Sequence, residues 1–194
     1  MNLRNNFEDI LCDKTILEST LVAFSETWLN EDENLAIDGY KSHFNSVGPG
    51  KGLAVYFKED IFQHTVDVKK EKMQLSKLKS SNLEIIAVYR SEQGNPTELL
   101  NHIIAMISPG VNTVIFGDFN ICYLSQRSNK ITKYLEQNGF TQLVKEPTHI
   151  KGRLLDHFYL RANGDDHLKT SVFRYSPYYA DHDAICTTLT LPKS

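Results

Sequence analysis

FGDFN, residues 116–120, closes a run that begins Thr113, Val114, Ile115. The β-branched and aromatic content is that of a strand, and it stops abruptly on a glycine, a carboxylate and an amide. A strand end is a rigid place to hold polar groups, so Asp118 and Asn120 are candidates for chemistry. YYADHDA (178–184) asks the same question with Asp181 and His182, immediately before the apolar run AICTTLTL. TLVAFS (20–25) reads as a strand buried on both faces and delivers Glu26 at its end, just before Trp28. Any one of these carboxylates could simply cap a loop. Several at the borders of apolar strands, together with Tyr89, Asp156 and His182, suit a site that binds a hard divalent cation and hydrolyses phosphodiesters. That reaction needs neutralised phosphoryl oxygens, an activated water and a stabilised leaving oxygen.

Working outward, Leu3, Phe7, Ile10 and Leu11 recur at helical spacing, so the chain opens in an amphipathic helix. NEDENLAIDGY (30–40) is a polar loop, and GPGKG (48–52) is a turn leading into the strand LAVYF. GPGKG is not a phosphate-binding P-loop, because no Ser or Thr follows the lysine and a strand stands where a helix is needed. LEIIAVYR (83–90) is a buried strand, after which Asn95 and Pro96 cap and start a helix carrying Leu99, Leu100, Ile103, Ile104 and Ile107. A second helix around Ile131, Tyr134 and Leu135 stops at Gly139. RLLDHFYLR (153–161), Leu168–Tyr175 and AICTTLTL close the chain as strands. Many strands and few helices, without internal repeats or long linkers, predict one α/β domain over 1–194, a sandwich of two sheets covered by helices.

The 194 residues are enough for one substantial core. Cys12, Cys122 and Cys186 show no paired spacing, which suits buried free thiols in a reducing compartment. No apolar run approaches the roughly 20 residues of a membrane span, and the first residues lack the basic-then-apolar order of a signal peptide. The expectation is a soluble intracellular protein with no membrane partner. A formal net charge of −3 speaks against a generally basic nucleic-acid surface. Local stripes remain: Lys69, Lys70, Lys72, Lys77 and Lys79 form one basic cluster, Arg127, Lys130 and Lys133 another, and Glu31, Asp32 and Glu33 an acidic one. Taken alone, each basic cluster reads first as a solvated strand edge or helix face.

SETWL (25–29), VYR (88–90), GDFN (117–120), RLLDHFYL (153–160) and ADHDA (180–184), in that order, resemble the endonuclease/exonuclease/phosphatase superfamily. The likeness is greatest to the endonuclease domains of non-LTR retrotransposons and related mobile elements. It implies a DNase I-like α/β/β/α sandwich of four layers, with two mainly antiparallel sheets flanked by helices and the active site at one mouth. By position, Glu26 matches the principal metal-binding glutamate and Asp181 a further carboxylate near the metal, which would be Mg²⁺, or Mn²⁺ in its place. Asp118 matches the residue that positions or deprotonates the attacking water. Asn120 would hold the phosphate or metal shell, Tyr89 would contact the phosphate, and His182 would stabilise phosphoryl charge, oriented by Asp156. Arg90, Lys69, Lys70 and Lys72 are candidate substrate contacts. His157, on the opposite strand face from Asp156, reads as structural, and His149 in EPTHI as a loop residue near the site.

The resemblance also carries departures. SEQGNP (91–96) replaces a proline-rich loop, and Ala180 stands where many relatives have serine. Relatives open with a strand ending in a metal-site asparagine, whereas this chain opens in the helix, so the domain reads as truncated at its N-terminus. The implied partners are DNA and a reverse transcriptase or other mobile-element protein on a longer polyprotein, in the nucleus. Two alternatives accompany the DNA-nicking reading: an inactive or truncated relative that binds nucleic acid or protein without cutting, and a phosphoinositide or sphingolipid phosphoesterase.

Overall fold

A computed structural model describes residues 2–30, 33, 35–125, 129–163 and 168–190. Arg127 of the second basic cluster, and Glu31 and Asp32 of the acidic one, lie outside the described residues. Two short helices, α1 (Phe7–Leu11) and α2 (Lys14–Leu17), precede β1 (Leu21–Ser25), β2 (Lys41–Asn45) and β3 (Leu53–Phe57). There follow β4 (Gln63–Lys70), β5 (Met73–Lys79), β6 (Leu83–Arg90), α3 (Pro96–Met106), β7 (Asn112–Asp118) and α4 (Lys130–Gln137). The chain closes with β8 (Thr141–Gln142), β9 (Asp156–Arg161), β10 (Lys169–Tyr175) and β11 (Ala184–Thr190).

A six-stranded sheet has the order β4-β5-β6-β7-β9-β8, antiparallel except where β6 and β7 run parallel across α3. A three-stranded sheet, β1-β3-β2, and a two-stranded pair, β10-β11, are antiparallel throughout. Strand alternation sorts the apolar side chains into three cores. Ile85, Ala87 and Tyr89 of β6 and Leu53, Val55 and Phe57 of β3 meet between the sheets. Ile86 and Val88 turn outward against Leu99 and Ile103 of α3 and Ile131 and Leu135 of α4. Ala54 and Tyr56 turn outward against Leu3, Ile10 and Ile16 at the N-terminus. Three cores separate four layers, so the α/β sandwich is the observed architecture.

Local chemistry sets the element ends. Asn95 Oδ1 accepts from the backbone N–H groups of Thr97 (2.9 Å) and Glu98 (3.4 Å), with Pro96 in the first turn of α3. Gly139 follows α4 with φ +82°, the left-handed position that ends a helix. Gly117 is required inside β7: its φ is +135°, and a Cβ there would lie 1.9 Å from the Val88 carbonyl oxygen.

Three expectations are corrected. The free cysteines are not buried: Cys12 is exposed, and Cys122 and Cys186 are half-buried. TLVAFS is not buried on both faces: Leu21–Ala23 are half-buried, because β1 is an edge strand bordering a cavity of about 800 Å³. β11, the edge of the two-stranded pair, lines the same cavity with Ala184–Leu189. Lys77 does not belong to a basic surface. It is buried, with Nζ 2.7 Å from Glu84 Oε2, and it donates to the Met106 carbonyl and to Ser108 Oγ. Among the described residues, no helix is long and apolar enough to cross a membrane.

Candidate active site

The register of β6, β7 and β9 sets Tyr89 opposite Asp118 and Asp118 opposite Asp156. All three side chains therefore stand in one row, on the face turned toward the other sheet. Glu26 leaves the end of β1 opposite them, where its carboxylate accepts the Tyr89 hydroxyl at 3.2 Å. His182 comes from the loop between β10 and β11, which a short bridge ties to His149. That loop is held further by Asp183 N donating to Thr148 O (2.7 Å) and Ile150 N donating to Asp181 O (3.1 Å). Tyr175 and Tyr179 fasten it to the N-terminal helices by donating to Asp13 Oδ2 at 2.7 and 3.3 Å. Asp13 also caps α2.

Backbone strain collects here. Among the described residues, the non-glycine positions in the left-handed region are Glu26 (φ 53°), Trp28 (φ 60°) and Asn120 (φ 50°). Such conformations cost of order 1–3 kcal/mol each and persist where the surroundings over-determine them.

Asp118 is 2% exposed. Burial pushes its carboxyl well above the ordinary range and the Asp156 charge adds to this, while His182 and the Asn120 N–H oppose it and Glu26 raises it again. Asn120 orients it by donating its backbone N–H to Oδ1 (2.8 Å) and its amide to Oδ2 (3.2 Å). The same amide donates to Arg90 O (2.8 Å), so both Nδ2 hydrogens are committed and Oδ1 is the atom Asn120 can offer to a metal shell. Burial alone would lower His182. The hydrogen bond between its Nδ1 and Asp156 Oδ2 (2.7 Å) and the charges of Asp156, Asp118 and Asp181 outweigh it, raising the imidazole to about 9. His182 is thus an imidazolium at neutral pH, and Asp156 engages it through Nδ1 rather than Nε2.

His157 lies on the other face as expected. It is buried, stacked on Phe119, bonded to Ile121 O (2.8 Å), and depressed to about 4 by burial. Arg90 is a correction. It is 4% exposed, and its guanidinium donates to Phe119 O (2.6 Å), Asn120 O (2.9 Å) and the carbonyls of Glu92 and Gly94. It shapes the loop that carries Asn120 and is not placed to touch substrate. Lys69, Lys70 and Lys72 are exposed. The β4–β5 turn carries Lys72 beside Ser91, which donates its N–H to Lys72 O at 2.9 Å, so this basic tip stands at the Tyr89 end of the sheet.

Thr148 escapes the sequence patterns, whereas His149 stands near the site as its place in EPTHI suggested. Thr148 Oγ1 donates to Asp156 Oδ2 (2.6 Å) and accepts from the N–H groups of Leu155 and Asp156. His149 packs edge-on against His182 with ring centroids 4.8 Å apart, and burial lowers its pKa. Neither residue has a periodicity signal, because both act from a loop. Trp28, Ile150 and Tyr178, exposed by 44, 77 and 84%, rim a smaller cavity that Glu26 and Asp181 also line.

The donor set fits a hard divalent cation. The oxygen donors are the clustered carboxylates of Glu26, Asp118 and Asp156, whose mutual charge a cation would relieve; His182, protonated beside them, is not among the ligands. Asp181 is more peripheral. Its carboxylate is 59% exposed and 3.6 Å from His149 Nε2.

A model of the Endonuclease/Exonuclease/phosphatase family matches residues 2–182. Among solved structures, the fold is similar to the endonuclease domain of TRAS1, a telomere-specific non-LTR retrotransposon. The TM-score is 0.71 at 13% identity, covering 96% of this chain and 93% of that one. An AP endonuclease from Archaeoglobus fulgidus gives a TM-score of 0.69 at 14% identity, covering 97 and 95%. A mannosyl-6-phosphatase from Bacteroides thetaiotaomicron gives 0.63 at 12%, covering 96 and 91%. No curated protein matches the sequence.

Proposed function

We propose that this chain, which belongs to the endonuclease/exonuclease/phosphatase family, is a Mg²⁺-dependent endonuclease that nicks DNA for a mobile element. Members of the family are hydrolytic enzymes, usually metal-dependent nucleases or phosphatases. The observation that carries the reading is the convergence of Asp156 and His182, both half-buried, on the buried Asp118, beside the Glu26–Tyr89 pair. In this scheme Asp118, its basicity raised by burial, takes the proton of the attacking water while Asn120 holds its orientation. His182 donates from Nε2 to a phosphoryl oxygen, fixed through Nδ1 by Asp156, which Thr148 fixes in turn. Tyr89 steadies the Glu26 carboxylate. Mg²⁺, or Mn²⁺, held by Glu26 with Asp118 or Asp181 nearby, would neutralise the phosphoryl oxygens and the leaving oxygen.

DNA is favoured as substrate by two surface features. Exposed Trp28, Ile150 and Tyr178 at the rim offer stacking and wedging surfaces for bases. Lys69, Lys70 and Lys72 place positive charge at the same end of the six-stranded sheet. A reverse transcriptase on a longer polyprotein as partner, and the nucleus as location, are part of the same proposal.

Plasmid nicking with Mg²⁺, with EDTA, and by Asp118→Ala tests the reading. Nicking that requires both the metal and Asp118 supports it. Tight DNA binding without cutting would favour a binding-only relative, a reading supported by the half-buried edge strand that carries Glu26. Cleavage of phosphoinositide or sphingolipid head groups instead of plasmid would move the chain to that branch.

A further inference from the structure

Away from the candidate active site, the two sheets meet along another edge. β2 is the edge strand of the three-stranded sheet and β4 the edge strand of the six-stranded one. His43 projects from β2, and His64 and Asp67 from β4. Residues three apart on a regular strand face opposite ways, so His64 and Asp67 should not meet. A bulge between His64 and Val66 shifts the register by one residue and brings them onto one face. Thr65 at the bulge is anchored by its hydroxyl to Lys77 O at 3.0 Å.

The three side chains converge closely. His43 Nε2 contacts Asp67 Oδ2, and His64 Nε2 lies 3.0 Å from Asp67 Oδ1. The two imidazoles are stacked, with centroids 3.8 Å apart and planes inclined by 18°. Ser76, fully buried, donates its hydroxyl to Asp67 Oδ1 at 2.7 Å and so orients the carboxylate from behind. One donor atom from each of His43, His64 and Asp67 falls within 4.8 Å of the others, and each side chain is about a quarter exposed.

The geometry points to a site for a divalent transition-metal ion of the Zn²⁺ class, held by His43, His64 and Asp67, that clamps the two sheets together. Two imidazole nitrogens and one carboxylate oxygen form a borderline donor set that suits Zn²⁺, Ni²⁺ or Co²⁺ and not Mg²⁺. Zn²⁺ bonds nitrogen at about 2.0–2.1 Å in the plane of the ring, so taking up the ion means turning the two stacked imidazoles out of their parallel arrangement and replacing the two His–Asp contacts, a rearrangement that their partial exposure permits. Partial exposure leaves room for a water as fourth ligand. Ser76 supplies the outer hydrogen bond that ligating carboxylates usually have. Because the ligands come from both sheets, binding stabilises the packed sandwich over states in which the sheets separate.

The test uses the full chain stripped with EDTA, titrated with Zn²⁺ and Co²⁺ by calorimetry, melting temperature and visible absorption. His149→Gln/His182→Gln serves as background, to silence donors near the candidate active site. The expected result is one equivalent of Zn²⁺, a rise of several degrees in melting temperature, and ligand-field bands of four- or five-coordinate Co²⁺. All three should be lost in His43→Gln/His64→Gln, a change that keeps side-chain polarity and whose metal-free melting temperature and circular dichroism report folding. Zn²⁺ binding as tight in that variant as in its parent would overturn the assignment. So would a well-folded parent whose melting temperature does not respond to Zn²⁺.

Discussion

At the scale of single residues, charge is set by what faces a group. Asp156 holds His182 at about 9, so the phosphoryl donor of the proposed mechanism is protonated across neutral pH, and nicking is expected to decline only as pH rises through about 9. Asp156→Asn removes the main cause of the shift. The descending limb of the pH–rate profile should then move toward the ordinary histidine range; a limb that stays near 9 would show that Asp156 does not set it. Loss of the group itself is larger: Asp118→Ala or His182→Ala should slow single-turnover cleavage by at least about a hundredfold. His157 carries the opposite sign. Its folded pKa of about 4 lies below the unfolded value, so its contribution to stability is present above about 6.5 and is lost as pH falls through about 4. The full loss is on the order of 3 kcal/mol, and urea midpoints taken from pH 7 to pH 4 should fall less steeply in His157→Gln. That variant should leave the chemical step unchanged, since His157 faces the α-helical layer and not the site.

At the scale of elements, β5 and β6 are joined by a buried ion pair. Lys77 and Glu84 side chains are 6% and 0% exposed, and Glu84 also accepts from Ser108 N (2.7 Å) and Thr113 Oγ1 (3.1 Å). Removing one partner strands the other, so Lys77→Met should cost about 3–5 kcal/mol in urea unfolding. Lys77→Met/Glu84→Gln removes the stranded charge and keeps an acceptor for Ser108 and Thr113. It should recover more than half of the loss, and equal destabilisation of single and double variants would show that the charge is not the cause. This pair also shows what one-dimensional reading misses. Lys77 looks like part of a basic stripe because its partner lies in a later stretch of sequence. The strands of the core were legible, since the continuous apolar runs in LEIIAVYR and LAVYF are themselves the record of two buried faces. GDFN was legible because Gly117 can carry no side chain against Val88 O, and the polar pair after it ends the strand. Thr148, Arg90's inward turn and the bulge at Thr65 depend on loop paths and register shifts that no period encodes. β1 misled because its composition suits a central strand while its position is an edge.

At the scale of the whole molecule, a net charge of −3 means that nucleic-acid binding must be carried by a local surface. Neutralising Lys69, Lys70 and Lys72 together should weaken DNA binding and flatten its dependence on salt, and an affinity indifferent to salt would point to a protein partner instead. The sandwich itself has an open seam. β1 has β3 as its only neighbouring strand among the described residues, β11 has only β10, and both line the cavity of about 800 Å³. Its floor includes Val114, Phe116 and Phe158 of the six-stranded sheet, and Thr187 Oγ1 at its wall is buried without a hydrogen-bond partner among the described residues. Facing strand edges with an apolar floor between them can accept a further strand, which would pair with both and cover the floor. Asn2 lies with Glu26 and Asp181 around the neighbouring smaller cavity, so a segment fused ahead of it would start from the site end of the seam. A strand ending in asparagine, fused there, is therefore expected to fill the seam, steady Glu26 and add an amide to the metal shell. In a domain of this size each kcal/mol raises the melting temperature by roughly 2–4 °C, so a strand adding about 3 kcal/mol would be visible as a rise of roughly 6–12 °C. The nicking rate should rise with it, because a fixed Glu26 holds the reacting groups more accurately. Equal melting temperature and rate with and without the added strand would mean that β1 and β11 close on each other in solution, and that Glu26 needs no further strand to hold it.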